Sequence, residues 1–508
     1  MIYGTAPLKS DDATRLAPIA AVRPGWGEMG ILLAASILTL IGVSLGPDVP
    51  QWINMVAPIM LSVAMALGAL ALIRREARAV WAPLFWVRIV MIAFSGIGSL
   101  VPFFANDVTR GALDRFFTVF PADMTKYNAV ICVFTLVMLF TARVCCALVD
   151  MNVRRREGPV LKVKPSALDA GQFGLLALAL SLPIKIPSSW IPFVTGVPFS
   201  LPNSIALFGM LSYIAYPLLI YHALSTRQRW PFFVAIPFIL IESTLGLLMF
   251  NKTELLFPLI FSFLGVLFQR ATLMRMLVGG VALFLVYSVA TPFAAYGRSQ
   301  EARDTGSIDT TLSRSIVIAS RYDWRVGNQD EGEFQGGWAR LTYITAGSFA
   351  ISQYDQGVPG TTMENVFLIL VPRVVYPDKP NMSLIFAEFN YAVTGNDKSQ
   401  SAPGIPPEGY WNYGWAGVVG FAVLMGVVYA LWSIYAIATL QAGAWHLLFI
   451  SLIGVRVASR IDGLIVTDFV PMIPFAIFAH FLLTFGNELL LRGKAARARP
   501  LRLTHGGA

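Results

Sequence analysis

Charge is what this sequence has little of. Asp, Glu, Lys and Arg together make up 13% of its 508 residues, while 56% are hydrophobic; soluble domains carry roughly a quarter charged residues. That shortage excludes a water-soluble globular protein. Cysteine is confined to Cys132, Cys145 and Cys146 in one apolar stretch, which supports neither a disulfide framework nor a thiolate metal site. The histidines His222, His446, His480 and His505 are scattered, with no H-E-x-x-H or other ligand spacing, so they read as packing or polar groups. No G-x-x-x-x-G-K-[ST] loop is present to wrap phosphates in backbone N–H groups, which disfavours nucleotide-driven transport. No metal and no cofactor is expected.

What the chain has in abundance is apolar runs of spanning length, about 20 residues each. They define an all-α, polytopic integral membrane protein, because in lipid only a helix satisfies its own backbone within one segment. Twelve helices are expected, at 29–46, 50–73, 79–101, 127–149, 168–186, 203–224, 230–250, 253–269, 275–296, 413–440, 443–460 and 466–489. The breaks near Asn251 and Gly443 leave ten or eleven true spans open, with a re-entrant segment in place of a crossing. Residues 1–28 read as a cytoplasmic N-terminal tail lacking the short apolar core and cleavage site of a removable signal. Residues 29–296 carry helices one to nine, 297–412 an extracytoplasmic loop domain, 413–489 the last three helices and 490–508 a basic cytoplasmic tail.

The net charge of +9 does not point to nucleic acid, because the basic residues sit in alternate short loops and thereby set topology. Arg74, Arg75 and Arg78 follow the second helix; Arg154, Arg155, Arg156, Lys162 and Lys164 the fourth; Arg227 and Arg229 the sixth; Arg270 and Arg275 the eighth. Both termini are then expected in the cytoplasm and the long loop outside. Long loops in compact proteins are usually functional or disordered, and the aromatics and arginines of this one argue against disorder.

Several charged residues sit where they are costly or patterned. Glu242, Lys252 and Glu254 interrupt apolar helices near the outer boundary, where an ionisable group needs a partner or a role; a Lys–Glu pair is the simplest account. Residues 308–326 have a helical pattern that gathers Arg314, Arg321 and Arg325 within an arc of about 40°, with Leu312, Ile316 and Ala319 opposite. Arg298, Arg303 and Arg340 add charge around it. Arg373 and Lys379 lie in a proline-framed segment, Val371–Pro–Arg–Val–Val–Tyr–Pro–Asp–Lys–Pro380, and Glu408 precedes an aromatic Gly-rich turn. Arg456 and Arg460 share a helix face and are followed by Asp462 and Asp468, a set that local ion pairing alone would explain.

In that order, the features resemble the Wzy-type oligosaccharide repeat-unit polymerases. The likeness rests on Glu254–Leu–Leu–Phe–Pro258 after Lys252, the long outer loop, Pro–Arg–x–x–Tyr–Pro–Asp–Lys–Pro at 372–380, and Asn412–Tyr–Gly–Trp–Ala–Gly417. The order Glu408–Gly409 departs from the Gly–Glu of the family. The resemblance implies a GT-C-like membrane glycosyltransferase in the bacterial inner membrane, acting on polyprenyl-pyrophosphate-linked oligosaccharide. Its implied partners are membrane lipid, a repeat-unit flippase and a chain-length regulator. The first outer loop offers only Asp48, so the paired carboxylates that hold a divalent metal in some membrane glycosyltransferases are missing there, and metal-independent chemistry is expected. On this reading Lys252, Arg298, Arg314, Arg321, Arg325, Arg373, Lys379 and Arg460 are candidate substrate-binding cations, and Glu408, ahead of Glu254 and Asp462, is the candidate base for the acceptor hydroxyl. An O-antigen ligase using the same donor, and a secondary transporter or lipid-linked-sugar flippase, remain the alternatives.

Overall fold

The computed structural model describes residues 11–498 apart from 115–116, 157–160, 162, 198, 200, 270, 306–310, 324–337, 339, 365, 372–375, 377–382 and 395–401. Among the described residues there are helices and turns and no strand. In chain order the helices are α1 (Asp11–Val22), α2 (Trp26–Leu45), α3 (Gln51–Arg75), α4 (Pro83–Phe104), α5 (Asp107–Asp114) and α6 (Pro121–Arg156). Then follow α7 (Ala170–Thr195), α8 (Leu207–Thr226), α9 (Trp230–Leu248), α10 (Lys252–Gln269) and α11 (Leu273–Thr305). The segment expected outside contributes α12 (Leu312–Arg321), α13 (Ile344–Asp355), α14 (Val366–Leu370) and α15 (Ser383–Thr394), and the chain closes with α16 (Ile405–Gln441), α17 (Leu448–Ala458) and α18 (Met472–Ala498).

Eleven of the described helices are long and apolar enough to cross a membrane, one fewer than the twelve expected. The difference is α17 with its 3₁₀ lead-in, Trp445–Ala458, which at 1.5 Å per residue is only about 21 Å long. It needs no full span because protein surrounds it: ten of its eleven residues from Leu448 are buried. Its two ends nevertheless reach opposite faces of the bundle. Ser166, in the basic connection after α6, donates its N–H to Gly443 O at 3.2 Å, while beyond the other end Ile405 N–H donates to Ile461 O at 2.9 Å.

Two long helices form the axis. α16, 37 residues, lies along α6, 36 residues, with α2 and α3 on one flank; α7, α8, α9 and α10 form a second group around α8, and α17 joins the two through α4, α8 and α16. Residues 11–22, expected as part of a free tail, instead form α1, whose Ile19 and Val22 are buried against α6 and α16. α16 starts eight residues before its expected boundary. Pro406 and Pro407 fit its first turn, where a proline's missing N–H costs nothing. It then kinks at Tyr413 (φ −140°) and Gly414 (φ 59°). The positive φ favours glycine, and a Cβ there would lie 2.9 Å from the Tyr354 ring.

The arginines inside the early helices are accounted for. Arg88, 0% exposed, is bidentate to Glu28, with Nε to Oε2 and Nη2 to Oε1 both at 3.0 Å. Arg143 donates to Pro24 O and lies 4.0 Å from the Trp26 ring centroid. α12 is shorter than the helix expected over 308–326 and turns a different face inward: Ser315 and Ile318 are buried, and Ile316 is 51% exposed.

Candidate functional site

The hinge between α9 and α10 organises the end of the second group that the basic loops lead one to expect outside. Phe250 takes a positive φ of 51°, Asn251 N–H closes back on Gly246 O at 3.0 Å, and Asn251 Oδ1 accepts from Thr253 N–H at 3.0 Å and Glu254 N–H at 3.4 Å. Asn251 is thus the N-cap of α10, satisfying donors that a helix start leaves free. A Cβ on Gly246 would sit 2.5 Å from the Glu254 backbone carbonyl carbon, so glycine is what lets the head of α10 tuck against α9. Phe250, 1% exposed, packs on Phe293 of α11 at 5.4 Å between centroids, and Tyr322 after α12 meets the same ring edge-on at 5.3 Å. The break seen in the sequence near Asn251 is therefore a braced turn.

Lys252 leaves this turn half-buried, its Nζ 5.4 Å from the Tyr287 ring centroid. Arg298, Arg340 and Asp462 all lie within electrostatic range of it. Arg298 is exposed, with Nε donating to Ala294 O at 3.2 Å. Among the described residues neither Lys252 nor Arg298 has a carboxylate within ion-pairing distance. The Lys–Glu pair expected of Glu242, Lys252 and Glu254 does not form: Glu242 pairs instead with Lys185, at 2.8 Å.

Asp462 belongs to the turn after α17. Tyr343 Oη donates to its Oδ2 at 2.9 Å, and Tyr343 is held edge-on to Phe94 at 5.2 Å. Asp462 Oδ1 is buried and has no hydrogen-bond partner. Burial pushes the Asp462 carboxyl pKa up, opposed by the nearby Arg460 charge and the Tyr343 hydrogen bond. The Tyr343 phenol is raised well above its usual value by burial and by the Asp462 charge, so it stays a donor. Arg460 itself is paired with Asp468 at 3.4 Å. A narrow cleft, with room for no more than about one water, is lined by Asp462, Tyr343, Phe94, Ser95, Tyr127 and Pro403.

Glu408 has another setting. It is 0% exposed; Oε1 accepts from Thr362 Oγ1 at 2.9 Å and Oε2 from Ile465 N–H at 2.6 Å. Asn412 Nδ2 donates to both Thr362 Oγ1 and Glu408 O, each at 2.9 Å. The carboxylate therefore ties the outer segment to α16 and to the 465–469 turn that begins the last span. Glu408 does not line the Asp462 cleft.

Glu254 faces a second pocket. Tyr213 Oη donates to Glu254 Oε2 at 2.7 Å, Lys185 Nζ lies 4.0 Å from the Tyr213 ring centroid, and Glu242 completes the group. The pocket is a small opening, with room for about one water, lined by Lys185, Ser189, Trp190, Glu242 and Glu254.

Of the residues singled out from the sequence, the fold thus gathers Lys252, Arg298, Arg460 and Asp462 from three distant segments and sets Glu254 beside them. Arg314 is half-buried and Arg321 exposed on α12. Arg325, Arg373 and Lys379 lie outside the described residues. Sequence reasoning missed Lys185 and Tyr343. A lysine in the apolar Leu182–Pro–Ile–Lys–Ile–Pro187 run is the signal that could have found the first; nothing local marks the second. The described histidines are polar fasteners: His446 bonds Ser166 at 2.7 Å and His480 bonds Tyr435 at 2.9 Å, and His222 Nδ1 lies 3.8 Å from Asp169 Oδ1. No group of three or more His, Cys, Asp or Glu placed to hold a metal ion occurs among the described residues.

Among the described residues the fold defines an all-helical, multi-pass membrane protein that brings Arg298, Arg340 and Asp462 within electrostatic range of Lys252. The chain matches no protein-family model, no curated protein and no solved structure.

Proposed function

We propose that this protein polymerises polyprenyl-pyrophosphate-linked oligosaccharide repeat units at the outer face of a bacterial inner membrane, as the resemblance of 240–470 to the Wzy-type polymerases implies. The observation that carries the reading is that Arg298, Arg340 and Asp462 lie within electrostatic range of the half-buried Lys252, with Lys252 and Arg298 lacking carboxylate partners among the described residues. Such a surplus of positive charge suits a diphosphate. Arginine grips phosphate oxygens with two parallel hydrogen bonds, and fixed cations stabilise the negative charge that grows on the pyrophosphate as it leaves the anomeric carbon.

The acceptor hydroxyl must lose a proton as it attacks. Asp462 takes over from Glu408 as the base in this reading, because it has a carboxylate oxygen with no partner and a raised pKa, closer to operating pH, which favours proton transfer. Tyr343 orients it. Glu408 becomes a positioning residue that holds the outer segment to the last span.

The buried charges of the first half favour this reading over a transporter. Arg88 and Glu28 form a closed pair, whereas transport asks for charges that face a pathway. A ligase would use the same cations, so the deciding experiment is elongation. Purified protein in lipid nanodiscs, supplied only with lipid-linked repeat units, is expected to release polyprenyl pyrophosphate and build longer lipid-linked glycans. Transfer only when lipid A–core is added would replace the polymerase by a ligase, and no glycosyl transfer with either acceptor would remove both.

A further inference from the structure

Three arginines from three elements meet at the end of the bundle that the basic loops lead one to expect in the cytoplasm, and the chemistry above uses none of them. Arg75 ends α3 and donates Nη1 to Arg23 O at 2.6 Å. Arg143 of α6 donates Nη1 to the next carbonyl, Pro24 O. Two guanidinium groups thus hang on adjacent carbonyls of the turn between α1 and α2, and Arg23 and Arg75 both lie within electrostatic range of Arg143. Among the described residues the Arg23 side chain has no hydrogen-bond partner, and its Nε is buried. Buried polar atoms are nearly always satisfied, so a stranded guanidinium N–H asks for an acceptor.

The protein itself supplies no counter-charge. None of the three arginines has a carboxylate within ion-pairing distance among the described residues. The Glu28 charge reaches Arg143, but both Glu28 oxygens accept from Arg88. Like charges gathered at a membrane boundary repel one another unless an anion lies among them, and arginine forks match phosphate oxygens. The surroundings say which phosphate. Arg143 stacks on Trp26, 4.0 Å from the ring centroid, which covers the guanidinium face and leaves its N–H edge. Trp26 is 64% exposed, the setting of a tryptophan at a membrane–water interface. Below it on α2, Leu33 and Ile37 are exposed within about 20° of the same line, and Phe140, one turn deeper than Arg143 on α6, is exposed as well. α2 and α6 pack side by side, so apolar surface runs from the arginines into the bilayer. A phospholipid with a negative headgroup meets both needs, and basic pockets between membrane helices are where such headgroups bind.

We propose that Arg23, Arg75 and Arg143 form a binding site for the phosphate of an anionic phospholipid whose acyl chains lie along α2 and α6 below Trp26. The site stands apart from the proposed glycan chemistry, and its test reads lipid binding alone. Full-length protein, stripped of lipid in detergent, is titrated with dioleoyl-phosphatidylglycerol and, as the zwitterionic control with the same chains, dioleoyl-phosphatidylcholine. Native mass spectrometry counts the lipid retained, and melting temperature reads its effect. Wild type is expected to retain phosphatidylglycerol in preference and to melt higher with it. Arg23→Gln removes charge without releasing the turn, so it is expected to weaken phosphatidylglycerol binding about tenfold, the worth of one charged hydrogen bond, with the lipid-free melting temperature held. Arg23→Lys keeps the charge and is expected to bind more tightly than Arg23→Gln, a comparison that needs no wild-type reference. Arg74 is exposed and projects about 100° away from Arg75, so Arg74→Gln, which removes the same charge, is expected to change binding less than twofold. Equal losses in Arg23→Gln and Arg74→Gln would reduce the cluster to diffuse surface charge and overturn the site. Equal affinity for the two lipids would overturn it too, as would stabilisation by inorganic phosphate that matches phosphatidylglycerol, which would give the arginines to a soluble anion.

Discussion

Lys252 and Glu254 stand two residues apart on the first turn of α10 and serve different compartments. At about 100° per residue their side chains project roughly 200° apart, Lys252 toward Tyr287 and the arginines, Glu254 toward Tyr213 and the Lys185–Glu242 pair. The turn that sets this division is fixed by the Asn251 cap and by Phe250 packing on Phe293. One short helix head therefore places a cation beside Tyr287 and a carboxylate beside Tyr213.

If the Lys252 side receives the diphosphate, its cations should be felt in donor affinity. Arg298→Ala and Lys252→Ala are expected to weaken binding of the lipid-pyrophosphate donor about 10–100-fold each, the worth of one or two charged hydrogen bonds. Arg298→Lys is expected to lie between Arg298→Ala and wild type, since lysine keeps the charge and loses the fork. Donor titrations in nanodiscs check this; unchanged affinity in Arg298→Ala would remove the arginine from the diphosphate site.

Asp462 predicts a pH profile. Its pKa is raised by burial, so as a base it is active only once deprotonated, and the elongation rate is expected to rise with pH through a pKa above the usual carboxylate range. Asp462→Asn should abolish that limb and slow elongation by about 10²–10⁴-fold. Tyr343→Phe removes a hydrogen bond that favours the carboxylate, so the limb should shift to higher pH. The stability sign runs the other way: a raised pKa means the folded state prefers the protonated acid. The buried group therefore contributes most below its unfolded pKa, and that contribution is lost as pH rises through the folded value. Asp462→Asn is thus expected to melt no lower than wild type at neutral pH. A profile identical to wild type in Asp462→Asn would exclude it as the base.

The membrane class was legible in the sequence because hydropathy acts residue by residue, and the apolar runs became helices, although α16 starts eight residues early and α7, α11 and α18 each end nine residues past their expected bounds. Where the reading slipped, tertiary contacts decided. α17 could be short because its surroundings are protein, which hydropathy does not report. Residues 11–22 pack although they read as a polar tail. The partners of the buried charges were equally hidden: Glu242 lies 57 residues from Lys185 and 12 from Glu254 in sequence, yet pairs with the distant residue. Lys252, Arg298 and Asp462 were each visible as charges out of place; that they meet is a property of how α10, α11 and the turn after α17 pack.

Glu408 separates positioning from proton transfer. Its two oxygens hold Thr362 and the Ile465 N–H in a closed environment, so Glu408→Ala is expected to cost roughly 1–3 kcal/mol for the stranded donors. The melting temperature should fall in scanning fluorimetry, and Glu408→Gln, which keeps one acceptor oxygen, should fall less. Residual elongation by folded Glu408→Gln should retain the wild-type pH limb. Loss of that limb with normal melting would return the catalytic base to Glu408.

Orientation follows from the basic loops and is open to direct measurement. In a background lacking Cys132, Cys145 and Cys146, a cysteine at Gln356, exposed just beyond α13, is expected to react with an impermeant thiol reagent in intact spheroplasts. One at Arg155, exposed near the end of α6, should react only after permeabilisation. The reverse pattern would put the Asp462 cleft on the cytoplasmic side, where no extracytoplasmic polymerase could work.

The Arg88–Glu28 pair offers a test of whether charge in the membrane interior is structural. Arg88→Met leaves the Glu28 carboxylate buried without its partner, which typically costs about 3–5 kcal/mol, whereas replacing both ions of such a pair by apolar groups is often neutral or stabilising. Arg88→Met is therefore expected to lower folded yield in detergent, and the double variant Glu28→Leu, Arg88→Met to restore most of it along with elongation. A proton- or ion-coupled transporter that worked through this pair would lose activity in the double variant however well it folded. Restored folding with lost activity would thus favour transport, and restored folding with restored elongation leaves the pair as scaffold for the outer site.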